Sequence, residues 1–451
     1  MSDSISVPVP SGGIWDVVVV GGGPAGCAAA IAAAEEGCRV LLIERTCTAG
    51  GMGTVALVPA WCPFTDRKQR IHAGLAGRIL DRSKAGTPHV PAGKDDWVAI
   101  NAEHLKQVYD QALAEAGVEV AFDTLLVEAR RQSDGTVDAI IVADKRGLRA
   151  IRATVFIDAT GDGDLVARTG VAIHKGDDAG GELMPATMCF ILANVTGSFA
   201  EYPSFTKPPA PGQPSAIARM RADPRFAAIP DEHIVGIRVG PGCMGFNAGH
   251  IYGVDNTDPG NLAKGMAAGR RLAKTYRDAL AAHLPEFFAD SFLVSTGSLL
   301  GTRETRRIVA DYELTLADYC NRQSFPDEIC RNAYFIDIHL YSAELTSANA
   351  GKGADWERRV HGRFEKYQPG ESHGIPYRSL LPIGLKNVLV AGRCIGTDRP
   401  VNASVRVMPV CLCTGEAAGV AASAVRTHGD VRAVSTDHLR AELRRRGAFL
   451  P

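Results

Sequence analysis

A glycine-rich turn near the amino end carries the clearest chemical signal in the sequence. Gly21, Gly23 and Gly26 have the G-x-G-x-x-G spacing, between the apolar run WDVVVV at 15–20 and a small-residue stretch that predicts a helix. In such a turn the glycines let backbone approach a pyrophosphate, and the helix N-terminus attracts phosphates. Glu44, 18 residues beyond Gly26 at the end of the next apolar run, can accept hydrogen bonds from a ribose. The pattern predicts a dinucleotide site.

Two more glycine-rich segments favour a long, bent dinucleotide over a nicotinamide cofactor. GGMGT at 50–54 follows Glu44 by a few residues, and ATGDGD at 159–164 follows the run TVFID. At both places glycine allows close approach of backbone to a ligand. A nicotinamide dehydrogenase needs neither segment, so the sequence favours FAD. A second G-x-G-x-x-G at 240–245 is not followed by a small-residue helix and is interpreted as a tight turn.

The elements that would position these segments form an α/β pattern. An apolar strand at 15–20, a small-residue helix at 28–36 and a second strand after it make a β-turn-α-β unit. A further helix is predicted at 102–116, with Asn101 as N-cap and Gly117 just beyond its end. The other predicted elements are antiparallel meander strands at 124–130, 137–143 and 148–152, a strand ending at Asp158, a strand at 387–391 and a helix at 409–427.

The predicted fold class is α/β, with a Rossmann-like FAD-binding domain made of a parallel sheet and an antiparallel meander. This domain is predicted to be discontinuous, formed by residues 1–165 and 381–451, because the last strand and helix fit the same sheet. Residues 166–380 are predicted to form an inserted, mixed α+β substrate or cap domain. Seven prolines in the stretch 203–230 predict a loop without regular structure.

The composition excludes several classes of protein. With 451 residues, 46% hydrophobic and 22% charged, the chain can bury a sizeable core and is not disordered as a whole. Its 49 basic and 50 acidic residues lack the cationic excess of a nucleic-acid or membrane-surface protein. No signal-peptide pattern is present, so a cytoplasmic location is predicted. The 11 cysteines include no C-x-x-C pair, which predicts reduced thiols and no metal site.

As a set, these motifs resemble those of FAD-dependent oxidoreductases of the glutathione-reductase-like superfamily. More closely, the chain is similar to the broad FAD-dependent oxidoreductase family, which is related to the fumarate reductase and ketosteroid dehydrogenase flavoproteins. The resemblance covers nearly the whole chain outside the proline-rich stretch. Besides the amino-terminal turn, the segments that carry it are GTRETRRIVADYELTLAD at 301–318, IDIH at 336–339, GIPYRSLLP at 374–382, NVLVAGRCIG at 387–396 and SVRVMPVCLCTGEAAGVAA at 404–422.

The resemblance implies FAD as the cofactor and assigns residues to it. No Cys or His is placed convincingly for linkage, so the FAD is predicted to be non-covalent. Val127 would offer its backbone to the adenine, and Arg393 stands where many relatives have an Asp for the ribityl chain. The residues implied to bind the cofactor are Gly21, Gly23, Pro24, Ala25, Gly26, Glu44, Arg45, Gly51, Met52, Gly53, Val127, Ala159, Thr160, Gly161, Gly392 and Arg393.

Hydride transfer with a flavin also needs a base and a fixed cation. His250, His339 and His373 are the candidate bases. The resemblance places Arg378 and Arg406 around the flavin ring, where they would fix an anionic or carbonyl-bearing substrate. Arginine suits that role because its planar fork can hold a carboxylate through two hydrogen bonds.

A group of arginines in GTRETRRIVAD allows two interpretations. Arg303, Arg306 and Arg307 are three and four positions apart, so one helical face could gather them. Ordinary salt bridges with Glu304 or Asp311 are the simpler interpretation.

The sequence predicts an FAD-dependent oxidoreductase that moves a hydride between a small polar organic substrate and flavin N5. A flavin-dependent monooxygenase is the enzymatic alternative. A protein of tRNA modification that binds FAD and RNA, or a non-catalytic flavin-binding protein, is the alternative of another class. NAD(P)H is predicted to be a poor reductant, because only one dinucleotide fold is recognised. The substrate, the reaction direction, the electron acceptor and assembly into a homo-oligomer stay open.

Overall fold

Strands and helices alternate through most of the chain. The structure, a computed structural model, describes residues 6–177, 181–197, 204–339 and 366–451. Its strands in these ranges are β1 (Ser11–Val20), β2 (Val40–Ile43), β3 (Glu119–Ala121), β4 (Leu125–Arg131), β5 (Val137–Asp144), β6 (Gly147–Asp158), β7 (Ile173–Lys175), β8 (Phe190–Ala193), β9 (Ile234–Gly240), β10 (Cys243–Ala248), β11 (Phe292–Thr296), β12 (Arg306–Ile308), β13 (Glu328–Asn332), β14 (His373–Pro376) and β15 (Val388–Val390). Its helices there are α1 (Pro24–Glu35), α2 (Leu75–Lys84), α3 (Ala102–Glu115), α4 (Asp164–Arg168), α5 (Ala216–Ala222), α6 (Pro259–His283), α7 (Pro285–Phe288), α8 (Leu316–Cys320), α9 (Arg399–Val405), α10 (Met408–Ala424) and α11 (Thr436–Arg445).

The largest sheet joins the two ends of the chain. It runs in the order β3–β2–β1–β6–β5–β4, and β15 also pairs with β6. The pairs β3–β2, β2–β1, β1–β6 and β6–β15 are parallel, whereas β4–β5 and β5–β6 are antiparallel. The predicted parallel sheet with an antiparallel meander is therefore confirmed. Because β15 completes this sheet from near the carboxyl end, both ends of the chain build the same layer.

β6 is longer than predicted and serves both parts of the sheet. The sequence suggested one strand at 148–152 and a separate one ending at Asp158, but the 12-residue strand is continuous. Its first half pairs with β5 up to Ile151, and its second half pairs with β15 from Phe156. No glycine, proline or turn pair separates the two halves, so nothing in the sequence interrupts the strand.

α1 and α10 pack together as two small-residue helices. A Cβ on Gly415 would lie 2.1 Å from the carbonyl oxygen of Ala25, and a Cβ on Gly419 would lie 2.2 Å from that of Ala29. Helix backbones can approach this closely only where side chains are minimal. The contact fixes the carboxy-terminal helix against the helix that follows the glycine turn.

α9 and α10 meet at a sharp bend. The angle between them is 91°. Together the two helices have the length and apolar composition of a bent membrane-spanning pair. No single helix in the described ranges is long and apolar enough to cross a membrane. Val407, in the bend, is the N-cap of α10, and no side chain caps the helix there.

A second, antiparallel sheet lies in the middle of the chain. Its strands run in the order β11–β8–β10–β9. Together with α6 it encloses a separate buried cluster that includes Phe190, Phe246 and Tyr276 and ends at Phe288. Ile308 and many later apolar residues pack instead into the main cluster around the large sheet. An inserted domain bounded at 166 and 380 stays a prediction, and the separate cluster covers only its first part.

The proline-rich stretch 203–230 contains regular structure, contrary to prediction. Residue 203 lies outside the described ranges. From Ser215, whose hydroxyl accepts a hydrogen bond from Ala218 N, the chain forms α5, and a short 3-10 helix follows at Pro224–Phe226. Most of the prolines precede Ser215, so they leave α5 intact, and Pro224 stands at the first turn of its helix, where no N–H is needed.

Candidate active site

The turn between β1 and α1 has the shape of a phosphate cradle. A Cβ on Gly26 would lie 1.7 Å from the carbonyl oxygen of Gly21, so helix and strand are in direct contact. A Cβ on Gly23 would meet no atom within 4 Å, so the space beside it is open. Gly23 is the N-cap of α1, and no side chain caps the helix. The uncapped first turn and the open space fit the pyrophosphate of FAD.

Glu44 lies beside this turn at the end of β2. It is 9% exposed. Its Oε2 accepts a hydrogen bond from Gly22 N at 2.6 Å, and its Oε1 accepts one from Thr46 N at 2.8 Å. The two bonds fix the carboxylate between the glycine turn and the loop after β2, where an acceptor for ribose hydroxyls is predicted.

We expect Glu44→Arg to purify with less FAD than the unchanged protein. The change removes the predicted ribose acceptor and the bonds to Gly22 and Thr46, and a hydrogen bond to a charged group is worth on the order of 1.5–3 kcal/mol. The ratio of flavin to protein absorbance after gel filtration measures the loss. Glu119→Arg, on the exposed start of β3, is the control. Full FAD occupancy in Glu44→Arg would show that the ribose lies elsewhere.

Arg393 joins three loops at the carboxyl ends of β6 and β15. Its Nε donates to Gly161 O at 2.7 Å, and its terminal nitrogens donate to Thr302 O and Asp162 Oδ1. Asp158 fixes the same 159–161 loop, because its carboxylate accepts hydrogen bonds from the backbone and hydroxyl of Thr160. Arg393 thus holds the loop that is predicted to line the cofactor, and its contact with the ribityl chain stays a prediction.

The predicted flavin-side glycines converge on the same place. Gly51–Gly53 form a 3-10 helix after the β2 loop, and a Cβ on Gly51 would lie 2.9 Å from the Cα of Gly23. Gly392, at the end of β15, donates from its N–H to Thr414 Oγ1 of α10 at 3.1 Å. The segment around Met52 is therefore in contact with the phosphate cradle.

Val127, predicted at the adenine, and Arg45, predicted near the pyrophosphate, have different surroundings. The β4–β5 register skips Val127, between Leu126 and Glu128, so this residue has no partner in the ladder. Such a bulge leaves backbone groups for a ligand. Arg45 is exposed.

Three histidines from separate segments form one cluster. The ring centroids of His233 and His250 are 4.5 Å apart, those of His250 and His339 are 4.7 Å apart, and those of His233 and His339 are 5.4 Å apart. Burial lowers the pKa of each imidazole, to about 3 for His233. All three rings are therefore neutral near pH 7 and can accept a proton.

Asp231 fixes the orientation of His250. The Nδ1 atom of His250 lies 2.9 Å from Asp231 Oδ2, and Tyr252 donates its hydroxyl to the same oxygen at 2.9 Å. Since a carboxylate accepts, Nδ1 carries the proton and Nε2 carries the lone pair. The Nε2 atom is buried and has no hydrogen-bond partner in the structure. His250 thus holds an unused proton-accepting atom inside the cluster.

Two guanidinium groups border the histidines. Arg406 donates to Asp337 O at 2.8 Å and to Asp337 Oδ2 at 3.2 Å. His339 Nε2 lies 3.3 Å from the other carboxylate oxygen of Asp337. Arg303 Nη2 lies 3.4 Å from His233 Nε2. Of the residues predicted for catalysis, the structure therefore brings His250, His339 and Arg406 together.

This cluster adjoins the segments predicted to contact flavin. Arg406 directly precedes Val407, the uncapped N-cap of α10. Thr302, next to Arg303, accepts a hydrogen bond from Arg393. The N-terminus of α10 is the positive end of that helix, a place that favours the negative charge which a reduced flavin gathers. A substrate among the histidines would lie beside that place.

His373 and Arg378 lie in other surroundings. His373, on β14, hydrogen-bonds the Tyr367 hydroxyl through Nδ1 at 2.5 Å and packs against Tyr319. The guanidinium of Arg378 is 5.0 Å from the ring of Tyr312 and donates from Nε to Asp327 at 2.9 Å, with 44% of its side chain exposed. The ion pair of Arg378 with Asp327 and its contact with the Tyr312 ring are those of an arginine with a structural role. The proposal that Arg378 binds substrate has no support from them.

Sequence reasoning missed His233 and Asp231. Neither belongs to a recognisable motif, and only the fold places them against His250. The arginine group of GTRETRRIVAD does not lie on one helical face, since Arg306 and Arg307 are on β12. Arg307 pairs with Glu304 at 2.8 Å, as the simpler interpretation predicted, whereas Arg303 points into the histidine cluster.

The histidine cluster also has the composition of a metal site. One nitrogen of each ring lies within 4.8 Å of the others. The rings of His233 and His250 are stacked, however, with 12° between their planes, so their in-plane lone pairs run side by side and do not converge. The guanidinium of Arg303 beside them repels a cation. The arrangement favours an organic or anionic ligand over a cation, and the absence of a metal stays a prediction.

The cysteines lead to a prediction about how FAD is held. All 11 are unpaired. Burial raises the pKa of the Cys62 thiol to about 12, so it is protonated and unreactive near pH 7. We expect acid precipitation to release yellow flavin into the supernatant. A yellow pellet would show a covalent bond, and its loss in Cys47→Ser or Cys62→Ser would identify the linked residue.

Comparison with known proteins gives a family and several partial relatives. A family model described as FAD dependent oxidoreductase matches residues 16–443. The chain is 33% identical over 186 residues to digeranylgeranylglycerophospholipid reductase 2 of Methanopyrus kandleri, covering 39% of this chain and 43% of the relative. It is 34% identical over 118 residues to glutathione reductase of Yarrowia lipolytica, covering 24% of each chain. The chain thus spans less than half the length of these curated relatives.

One solved structure has a weak likeness to this chain. A geranylgeranyl bacteriochlorophyll reductase-like protein of Thermoplasma acidophilum has 14% sequence identity and a TM-score of 0.46, covering 96% of this chain and 84% of that one. The predicted link to fumarate reductase and ketosteroid dehydrogenase stays a prediction. The family match, in contrast, runs from β1 to α11 and includes the phosphate cradle, Glu44 and the histidine cluster. The chain therefore belongs to the FAD-dependent oxidoreductase family, and it is an enzyme with FAD as its cofactor.

Proposed function

We propose that the enzyme is a dehydrogenase or reductase that moves a hydride between a small polar substrate and flavin N5, with His250 handling the proton. The observation that carries this proposal is the fixed His250–Asp231 pair, whose Nε2 atom is buried, neutral and without a partner. When bound, FAD supplies the two-electron acceptor or donor.

The residues of the cluster perform the proton step. In the direction of oxidation, the substrate loses a hydride from carbon and a proton from its O–H or N–H group, and a C=O or C=N bond forms. The proton goes to His250 Nε2. Asp231 stabilises the resulting imidazolium through its hydrogen bond with Nδ1. In the direction of reduction, the same atom returns the proton to the product.

The packing of the three rings limits the access of water to His250. The ring of His250 lies against those of His233 and His339. Desolvation keeps the imidazole neutral and ready to accept a proton. The lipid substrate in the name of the Methanopyrus relative is not part of the proposal, because that match covers 39% of this chain.

An anaerobic screen of the FAD-loaded enzyme tests the function. Hydroxy acids, sugars and amines are added to oxidised enzyme, and enones are added to enzyme reduced with dithionite. We expect one class to bleach or restore the visible flavin band in a single turnover. Rapid bleaching by NAD(P)H, followed by dioxygen consumption and a hydroxylated product, would favour a monooxygenase. No redox change with any class, but tight RNA binding, would favour the tRNA-modification alternative.

A further inference from the structure

Arg303 is a buried cation with no carboxylate partner among the described residues. The residue is 6% exposed. Its Nη1 donates to Pro185 O at 2.7 Å and to Thr187 Oγ1 at 2.8 Å. Neither acceptor carries a charge, and no carboxylate of the described ranges lies within 4.0 Å of its nitrogens. The Nη2 side faces the neutral ring of His233.

Other deeply buried arginines of the chain are paired with acids. The pairs are Arg307 with Glu304 at 2.8 Å, Arg331 with Glu328 at 2.9 Å and Arg446 with Glu416 at 3.1 Å. Burying a charge costs free energy that a paired, hydrogen-bonded acid offsets. Within the described ranges Arg303 lacks that compensation, so its position suits an anionic ligand.

The neighbours of Arg303 add to the need for an anion at this position. Burial and the nearby Arg406 lower the pKa of Arg303 to about 10, so the group is still charged near pH 7. Asp337 and Asp231 are acids whose charge acts on Arg303. Asp337 is already paired with Arg406, however, and Asp231 with His250. The cluster keeps two guanidinium groups beside three neutral imidazoles.

Two more buried atoms of the cluster have no partner in the structure. These are Nε of Arg406 and Nε2 of His250. A donor on Arg406, a cation at Arg303 and an acceptor on His250 are the groups that an oxidisable or reducible acid needs. Its carboxylate would accept hydrogen bonds from the guanidinium groups, and its O–H or N–H proton would face the imidazole.

We infer that the substrate is a small organic acid whose carboxylate is bound by Arg303, with Arg406 beside it. The inference rests on the proposed hydride transfer, because it names the substrate class of the same site. It differs from the sequence-based expectation, which assigned the anion to Arg378 and Arg406. Arg303 takes the place of Arg378, whose own charge is already matched by Asp327.

Binding of simple carboxylates to the FAD-loaded enzyme tests the inference. Oxalate, malonate and succinate are titrated by calorimetry and by the change in the visible flavin spectrum, with oxamide, malonamide and succinamide as uncharged controls. We expect at least one acid to bind and its diamide not to bind. Arg303→Met should weaken that binding at least tenfold, and Arg303→Lys should also weaken it because an ammonium group cannot form the fork. Arg270→Met, on the exposed face of α6, is the control and should bind the acid as the unchanged protein does.

Several results would overturn the inference. One is equal binding of the acid by the unchanged protein and Arg303→Met, and another is failure of the unchanged protein to bind any of the acids. Zinc binding that displaces the acid and survives in Arg303→Met would instead show a cation site. If Arg303→Met does not retain FAD, the affinity of Arg303→Lys for the acid decides whether the inference holds. Binding of these acids, together with no flavin redox change by any compound of the anaerobic screen, would leave the carboxylate site intact and overturn the proposed hydride transfer. Turnover of uncharged substrates only, without binding of the acids, would overturn the carboxylate site and leave the hydride transfer intact.

Discussion

Replacing His250 by Asn is expected to slow flavin reduction by substrate by about 10²–10⁴-fold, the usual contribution of a positioned acid or base. FAD should stay bound, because His250 lies apart from the phosphate cradle. The reason for the loss is that Nε2 is the unpartnered, neutral acceptor of the cluster. Anaerobic stopped-flow spectroscopy with the substrate found in the screen measures the rate. His428→Asn, on the exposed surface, is the matched control.

The variant Asp231→Asn tests whether Asp231 positions the imidazole of His250 for proton transfer or has only a structural role. The amide can present its N–H₂ group to Nδ1, which would move the imidazole proton to Nε2 and remove the base. Burial lowers the pKa of His250 and the hydrogen bond with Asp231 raises it, so loss of the carboxylate lowers this pKa further. We expect slower reduction together with a shift of the acid limb of the pH profile to lower pH.

Tyr252→Phe provides the comparison for Asp231→Asn. It removes one hydrogen bond to Asp231 but keeps the carboxylate on His250. A smaller loss of rate, with the acid limb near its original position, is expected. If Asp231→Asn and His250→Asn both reduced flavin at the original rate, the proton would be handled by another group, and His339 would be the next candidate.

The β-turn-α-β unit that is predicted to bind the cofactor could be recognised from the sequence because its information is local. The strand, the glycine turn and the helix from Trp15 to Glu35 are contiguous, and each has a pattern with one simple interpretation. Glu44 follows at the end of the next strand, where its two hydrogen bonds now hold the turn. Likewise, Asn101 caps α3 through its side chain, as its position before the helix indicated.

The histidine cluster could not be predicted as a cluster, because tertiary packing assembles it. Its side chains belong to five segments: the one before β9, the one after β10, the one before β12, the one after β13, and the bend between α9 and α10. No regular spacing in the sequence connects these segments. His250 and His339 were candidates only by residue type, and His373 was an equal candidate by the same reasoning. The structure distinguishes two of them by their hydrogen-bond partners. His250 bonds to the carboxylate of Asp231, whereas His373 bonds to the hydroxyl of Tyr367.

Arg303 shows why residue type alone misleads at such a site. The sequence offered it a carboxylate at Glu304, the adjacent residue. In the structure Glu304 is instead shared by Arg307 and Arg399. Glu304 is therefore paired with two other arginines and does not neutralise Arg303. The positive charge of Arg303 can then pair with the proposed carboxylate ligand.

Alanine at two glycines of the cradle is expected to weaken FAD binding in both cases but to lower the stability of the fold in only one. At Gly26, a Cβ would overlap the carbonyl oxygen of Gly21 at 1.7 Å, so β1 and α1 must separate. Overpacking of this kind costs roughly 1–3 kcal/mol or more. We expect Gly26→Ala to lower the melting temperature of the FAD-free protein and to lose FAD as well.

Gly23→Ala is expected to lose FAD while the fold is retained. Its φ of −72° and ψ of −174° suit alanine, and its Cβ would meet no protein atom within 4 Å. The methyl group would instead occupy the open space beside the helix N-terminus, where the pyrophosphate must approach. Circular dichroism of the FAD-free variant should give an unchanged melting temperature, and flavin fluorescence should show FAD affinity lowered at least tenfold, or about 1.4 kcal/mol. Full FAD affinity in Gly23→Ala would mean that the phosphates do not lie against this turn, whereas a lowered melting temperature would mean that Gly23 has a structural role which the open space does not reveal.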